Sequence, residues 1–124
     1  MSSTTASPSA LLRRWQRLHL QVRCALQADQ PALIRQYLAC GTLLTRRADL
    51  PAAATQLRML GVLLQTAEDR ALPWFWRSVC LEHVPQPLAR LSALLRLHDP
   101  LAWQAVEAAV QRAQDALPAR PCSG

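Results

Sequence analysis

Residues 34–66 read IRQYLACGTLLTRRADLPAAATQLRMLGVLLQT. Two apolar stripes at helical spacing flank one turn signal, Arg47-Ala48-Asp49-Leu50-Pro51. On the first stripe, Leu33, Tyr37, Cys40, Gly41 and Leu44 share one face of a helix; on the second, Ala53, Leu57, Leu60, Gly61 and Leu64 do. A short link between two such helices predicts an antiparallel hairpin. Gly41 and Gly61 each fall on an apolar face, although glycine costs roughly 1 kcal/mol against alanine inside a helix. Either the backbones approach closely at both points or the two glycines are merely tolerated.

Working outward, 124 residues suit one domain with a real hydrophobic core. Apolar residues make up 51%, mainly Leu and Ala; Ile34 is the sole isoleucine. That mix favours helix over strand. Lys and Asn are absent, so all 14 basic residues are arginine. This is the fingerprint of a GC-rich, bacterial genome rather than a choice of arginine for chemistry. Net charge is +6 and unevenly spread: residues 1–66 hold eight arginines against Asp29 and Asp49, and the remainder is balanced. A basic half attracts nucleic acid, anionic lipid or an acidic protein. Without interleaved aromatics or Gly-Arg repeats, the nucleic-acid signal is weak.

Cys24, Cys40, Cys80 and Cys122 are irregularly spaced and no cleavable signal peptide is evident. Free thiols in a reducing cytoplasm are therefore expected, not a disulfide framework. The longest apolar run, Met59 to Leu64, is far too short to span a membrane. Residues 1–28 are rich in Ser and Thr, contain Arg13, Arg14, Arg17 and Arg23, and lack acids. A mitochondrial transit peptide has the same composition, so that destination stands as the minority alternative to a bacterial cytoplasm.

In chain order, a disordered 1–8 is predicted, then a helix over 10–28 capped by Ser9. Its buried stripe is Leu11, Trp15, Leu18, Val22 and Leu26, with Leu20 and Cys24 on the polar side. Asp29-Gln30-Pro31, Asp49-Leu50-Pro51 and Asp99-Pro100 look like three helix starts, each pairing an N-cap aspartate with a first-turn proline. They predict helices over 31–47, 50–67 and 100–117. Between the last two, helices over 73–83 and 87–97 are separated by Val84-Pro85-Gln86-Pro87, where two prolines interrupt the hydrogen bonding. Residues 118–124 look like a flexible tail.

The central hairpin resembles one tetratricopeptide repeat. That family places an aromatic, a small and a large residue at the spacing of Tyr37, Gly41 and Leu44, and after the turn a large, a small and a large residue at the spacing of Leu50, Ala53 and Leu57. Leu60, Cys40, Gln65 and Ala48 depart from the pattern; Ala48 stands where a turn glycine is common. Trp74, Ser78 and Leu81 resemble the start of a second copy, with Ala89 one residue early. The resemblance covers about half of the chain. It implies paired helices touching at the small residues, and a concave groove faced by Arg35, Leu38, Thr42, Thr45 and Arg46.

Independently of the family, Arg35, Leu38, Thr42 and Arg46 form a stripe opposite the apolar face. Two guanidinium groups beside a hydroxyl suit a carboxylate or phosphate, unless the stripe is an ordinary solvated face. In Trp74-Phe75-Trp76, neighbouring residues diverge by about 100°, so one ring at least must face outward or be covered by another element. Trp74 shares a face with Ser78 and Leu81 and is assigned to the core; Phe75 or Trp76, the larger, is then the outward anchor of a protein contact. Cys80 and His83 lie one turn apart but lack two further zinc ligands. A helix-turn-helix at Leu60-Gly61-Val62 would need a small residue at Leu57 and a polar one in place of Leu63.

These readings converge on an all-α protein of five to six helices in antiparallel hairpins, tetratricopeptide-like or an irregular bundle, over 9–117. The expected role is non-catalytic, without metal or cofactor: an adaptor or small chaperone binding another protein, through an acidic group or C-terminal carboxylate, or a second copy of itself. Arg35, Thr42, Arg46, Phe75 and Trp76 are the partner-binding candidates. The alternative is an arginine-rich nucleic-acid-binding or transcription-regulatory helical protein.

Overall fold

Helices α1 (Pro8–Arg23), α2 (Ala32–Arg46), α3 (Ala52–Glu68), α4 (Trp74–Glu82), α5 (Pro85–Leu95) and α6 (Pro100–Ala116) account for most of residues 8–118, which are those described by the structure, a computed structural model. No strand occurs among the described residues. The chain is all-α, as its composition and apolar spacing predict. Of the disordered 1–8 and the flexible 118–124 expected, residues 1–7 and 119–124 lie outside the described residues, as does Cys122, whereas Pro8 already belongs to α1.

The centre of the fold is α3, which packs against each of the other five helices. Thr55, Gln56, Met59, Leu60, Val62, Leu63, Leu64, Thr66 and Ala67 are all buried on it. A helix that is apolar on most sides belongs inside a domain. Its predicted single face is therefore a misreading. Leu57, placed on that face, is 38% exposed, whereas Met59, Leu63 and Ala67 are fully buried. Around α3, helix α1 packs on α2, and α5 on α6. One continuous core draws residues from all six helices, from Leu11 to Ala113.

The α2–α3 hairpin forms, and Gly41 sits where its helices approach. A Cβ there would collide with the Met59 sulfur and lie 2.7 Å from Trp15 Nε1 and 2.9 Å from Met59 Cε. Trp15 stacks on Tyr37 with ring centroids 5.8 Å apart, so an aromatic pair from α1 and α2 flanks the same point. Gly61 does not mark a close approach: nothing lies within 4 Å of a Cβ added there. Leu60-Gly61-Val62 is mid-helix, with no turn.

Helix ends depart from expectation in an informative way. Helix α1 stops at Arg23, not at 28, and Leu26 is 64% exposed. Ala25 takes the left-handed conformation at φ 50°, and Leu26 N–H reaches back to the Gln21 carbonyl at 3.2 Å. This is the Schellman stop that usually carries glycine. Helix α2 ends the same way: Ala48 has φ 59°, and Asp49 N–H donates to the Leu44 carbonyl at 3.0 Å. Of the three aspartates read as N-caps, Asp99 alone does so, accepting from Ala102 N–H at 3.2 Å. Pro31 and Pro51 occupy the N-cap positions of α2 and α3, and Asp49 instead faces Arg47 at 3.6 Å. Ser9 lies inside α1 rather than ahead of it. Pro85 and Pro87 do not separate two helices. They lie in the first turn of α5, where a missing N–H is harmless, and only His83 and Val84 divide α4 from α5.

Long-range polar contacts lock the elements. The Trp76 indole N–H donates to the Val22 carbonyl at 2.8 Å, tying α4 to the end of α1. Arg23 pairs with Asp69 at 2.9 Å, which together with the Ala71 N–H holds that carboxyl below its ordinary pKa. Buried Arg77 donates from Nε to the Ala67 carbonyl at 2.7 Å, a cation at the C-terminal end of α3 where the helix dipole is negative. No helix among the described residues is long and apolar enough to cross a membrane.

Candidate functional site

Helix α2 packs on α1 and α3, while α4 and α5 pack on α3. With α3 supporting both walls, a trench is left between α2 on one side and α4–α5 on the other. Its middle section, about 440 Å³, is lined by Arg35, Leu38, Thr42 and Arg46 from α2 and by Gln86 and Arg90 from α5. One end, about 350 Å³, adds Pro31, Phe75, Val79, Glu82 and His83, and shares Arg35 with the middle. The other end, about 270 Å³, adds Thr45, Gln56, Ala93 and Leu94, and shares Arg90. Arg35 borders both the middle and the first end section, and Arg90 both the middle and the second, so the three lie side by side.

The α2 wall follows from helical spacing alone. Arg35, Leu38, Thr42 and Arg46 recur every three or four residues, opposite the face that carries Tyr37, Gly41 and Leu44 to the core. Leu38 is buried at the base, and the arginines are exposed at the rim. The two ion pairs among the described residues are Arg23–Asp69 and Arg47–Asp49, so Arg35, Arg46 and Arg90 have no acid partner there. Glu82 is the one carboxylate in the lining, at the Phe75 end.

Thr42 is positioned from behind. Buried Gln56 donates its amide N–H to the Thr42 hydroxyl oxygen at 3.3 Å, which leaves the hydroxyl hydrogen available to a ligand. Thr45 is turned away from such a role, donating to the Thr42 carbonyl at 2.7 Å. Three guanidinium groups and an oriented hydroxyl along an open trench match carboxylates presented by an extended chain.

The aromatic run is sorted differently from expectation. Trp76 is fully buried and hydrogen-bonded, so it is no outward anchor. Phe75 is 53% exposed and lines the trench end. Trp74, assigned to the core, is only half-buried and donates to the Pro118 carbonyl at 2.9 Å. The faces are thus reversed: Trp76 points at α1 because Val22 offers it a carbonyl there. Of the five sequence candidates, Arg35, Thr42, Arg46 and Phe75 line the trench, and Trp76 is buried outside its lining.

Sequence reasoning did not find Gln56, Gln86 or Arg90. Arg90 has no distinguishing neighbour in the chain; only the packing of α5 on α3 brings it opposite Arg46. Cys80 is buried with its thiol pushed up to about 12, and burial also raises Cys40, so neither offers a thiolate at neutral pH. The His83 Nδ1 lies 2.9 Å from the Val79 carbonyl. Among the described residues, no three His, Cys, Asp or Glu side chains gather into a metal-binding group. Compared with protein-family models, curated proteins and solved structures, the chain matches none.

Proposed function

We propose that this protein is a non-catalytic interaction module, an adaptor or small chaperone, which holds an acidic segment or C-terminal carboxylate of another protein in the trench. The observation that carries the reading is the alignment of Arg35, Arg46 and Arg90, unpaired with acids among the described residues, along one depression. Carboxylates of the partner meet the arginines and the Thr42 hydroxyl, while an apolar side chain covers exposed Phe75. Aromatic residues and arginine are enriched in the energetically dominant positions of protein interfaces.

The tetratricopeptide resemblance supports the same reading in part. Its groove-facing positions on the first helix coincide with the α2 wall, and its small residue coincides with the close approach at Gly41. Two features count against a stacked repeat. Leu57 lies at the surface, and α3 packs against every other helix, whereas stacked repeats touch only their neighbours. An irregular bundle bearing one repeat-like hairpin accommodates both. A bacterial cytoplasmic setting belongs to the same proposal, on the arginine-only composition and the free thiols.

The test is fluorescence anisotropy with a labelled peptide that carries several acids and one aromatic residue. A neutral peptide of the same length and a single-stranded oligonucleotide serve as comparisons. The acidic peptide should bind best. Tighter binding of the oligonucleotide, weakening log-linearly with salt, would replace this reading with the nucleic-acid alternative.

A further inference from the structure

Away from the trench, α1, the α2–α3 link and α3 border a second cavity of about 480 Å³. Leu12, Leu20, Leu50 and the Trp15 ring supply most of its lining, with Gln16, His19 and Arg58 as polar groups. Leu20 is 56% exposed, a large apolar side chain left open to water at the mouth. The Arg58 guanidinium lies over Trp15, its carbon 5.9 Å from the ring centroid. At that distance the ring face attracts the guanidinium, and exposed Arg58 keeps its N–H groups open to a ligand. No acid pairs with Arg58 among the described residues. Such a concave, mainly apolar site with few convergent polar groups is the usual form of a small-ligand pocket.

We infer that this cavity is a binding site for a small amphipathic carboxylate, whose alkyl or aryl body lies on Leu12, Leu20 and Leu50 and whose carboxylate pairs with Arg58. A carboxylate is the class that fits, because one guanidinium edge forms two parallel hydrogen bonds with it. A neutral ligand would form no ion pair with Arg58, the one charged residue of the lining. His19 adds no competing charge, since burial, then Arg58 and Arg23, hold its imidazole toward the neutral form. Its Nδ1 lies 3.5 Å from the Tyr37 hydroxyl, which keeps the ring at the wall of the cavity. The cavity shares no lining residue with the trench.

Octanoate and octanol, which share a chain and differ in charge, are the probes, followed by calorimetry and by ligand-observed NMR on the full chain. Octanoate should bind saturably at millimolar concentration or below, and about tenfold more tightly than octanol, the size expected for one charge-assisted pair near the surface. Arg58→Gln should abolish that preference and leave helical content unchanged. The trench variant Arg35→Gln with Arg46→Gln should keep it, which separates this site from the peptide site. Equal binding of the two probes, a preference that survives Arg58→Gln, or no saturable binding would each overturn the assignment.

Discussion

The two faces of α2 show how one helix closes a core on one side and leaves a trench open on the other. Toward α1 and α3 the helix presents Tyr37, Gly41 and Leu44, all buried, and the gap is so small that Gly41 admits no side chain. Toward α4 and α5 it presents Arg35, Thr42 and Arg46, and the gap remains an open trench. A residue's size decides the first face, since buried side chains pack at crystal-like density. Charge decides the second, because guanidinium groups without buried partners keep to water. Substitutions on the open face should therefore leave the closed one undisturbed.

The largest expected effect separates two adjacent aromatics. Trp76→Ala should destabilise the fold by about 3–5 kcal/mol, since it removes a fully buried ring and leaves the Val22 carbonyl without its indole donor. Phe75→Ala should change stability by no more than about 0.5 kcal/mol, as an exposed residue does. Urea denaturation of both variants checks this; similar losses would erase the distinction between sealed core and open trench.

Next comes the sealed face itself. Gly41→Leu should cost about 3 kcal/mol, the upper end for overpacking, because both the Met59 side chain and the rigid Trp15 ring stand in the way. Gly61→Ala, facing open space, should instead be neutral or stabilising by up to about 1 kcal/mol. Thermal unfolding of the pair is the readout, and equal behaviour of the two glycines would refute the close approach at Gly41.

On the open face, replacing Arg35 and Arg46 together by Gln should weaken acidic-peptide binding by about tenfold or more, as loss of charge-assisted hydrogen bonds does. The same variant should melt within a degree or so of the parent, because neither side chain is buried. Unchanged affinity in the anisotropy titration would return this face to plain solvation.

The smallest effect concerns the end of α2. Ala48→Gly should stabilise by about 0.5–1 kcal/mol, since glycine occupies the left-handed region without the steric penalty that Ala48 bears at φ 59°. Ala25→Gly, in the same position at the end of α1, should gain a similar amount. A loss at both positions in chemical denaturation would mean that the helices do not end in this motif.

That second pair also explains why the end of α1 was hidden in the sequence. Alanine is the best helix former, so nothing at Ala25 signals a stop. The stop coincides with tertiary bonds: Val22 accepts from Trp76, and Arg23 pairs with Asp69. Residues 54 and 46 positions away thus hold the end of the helix, and no local pattern contains them. The three Asp-Pro starts misled for the complementary reason. Proline locates a helix start through its fixed φ whether or not the aspartate beside it caps, so the boundaries were nearly right where two of the three assigned caps were not.

By itself the sequence determined the helical class, the approximate span of α2 to α6, and which face of α2 enters the core. These depend on local propensity and on a periodicity of about 3.6, both readable within a few turns. It also placed Arg35, Thr42 and Arg46 on a common stripe, because one helix carries all three. Only the tertiary structure decided that α3 is the central helix, that Trp76 turns inward and Phe75 outward, and that Gln56 and Arg90 join the α2 stripe. Each of those depends on how separate helices are arranged about a shared core. That arrangement is set by the summed packing of side chains far apart in the chain, for which no single segment carries a signal.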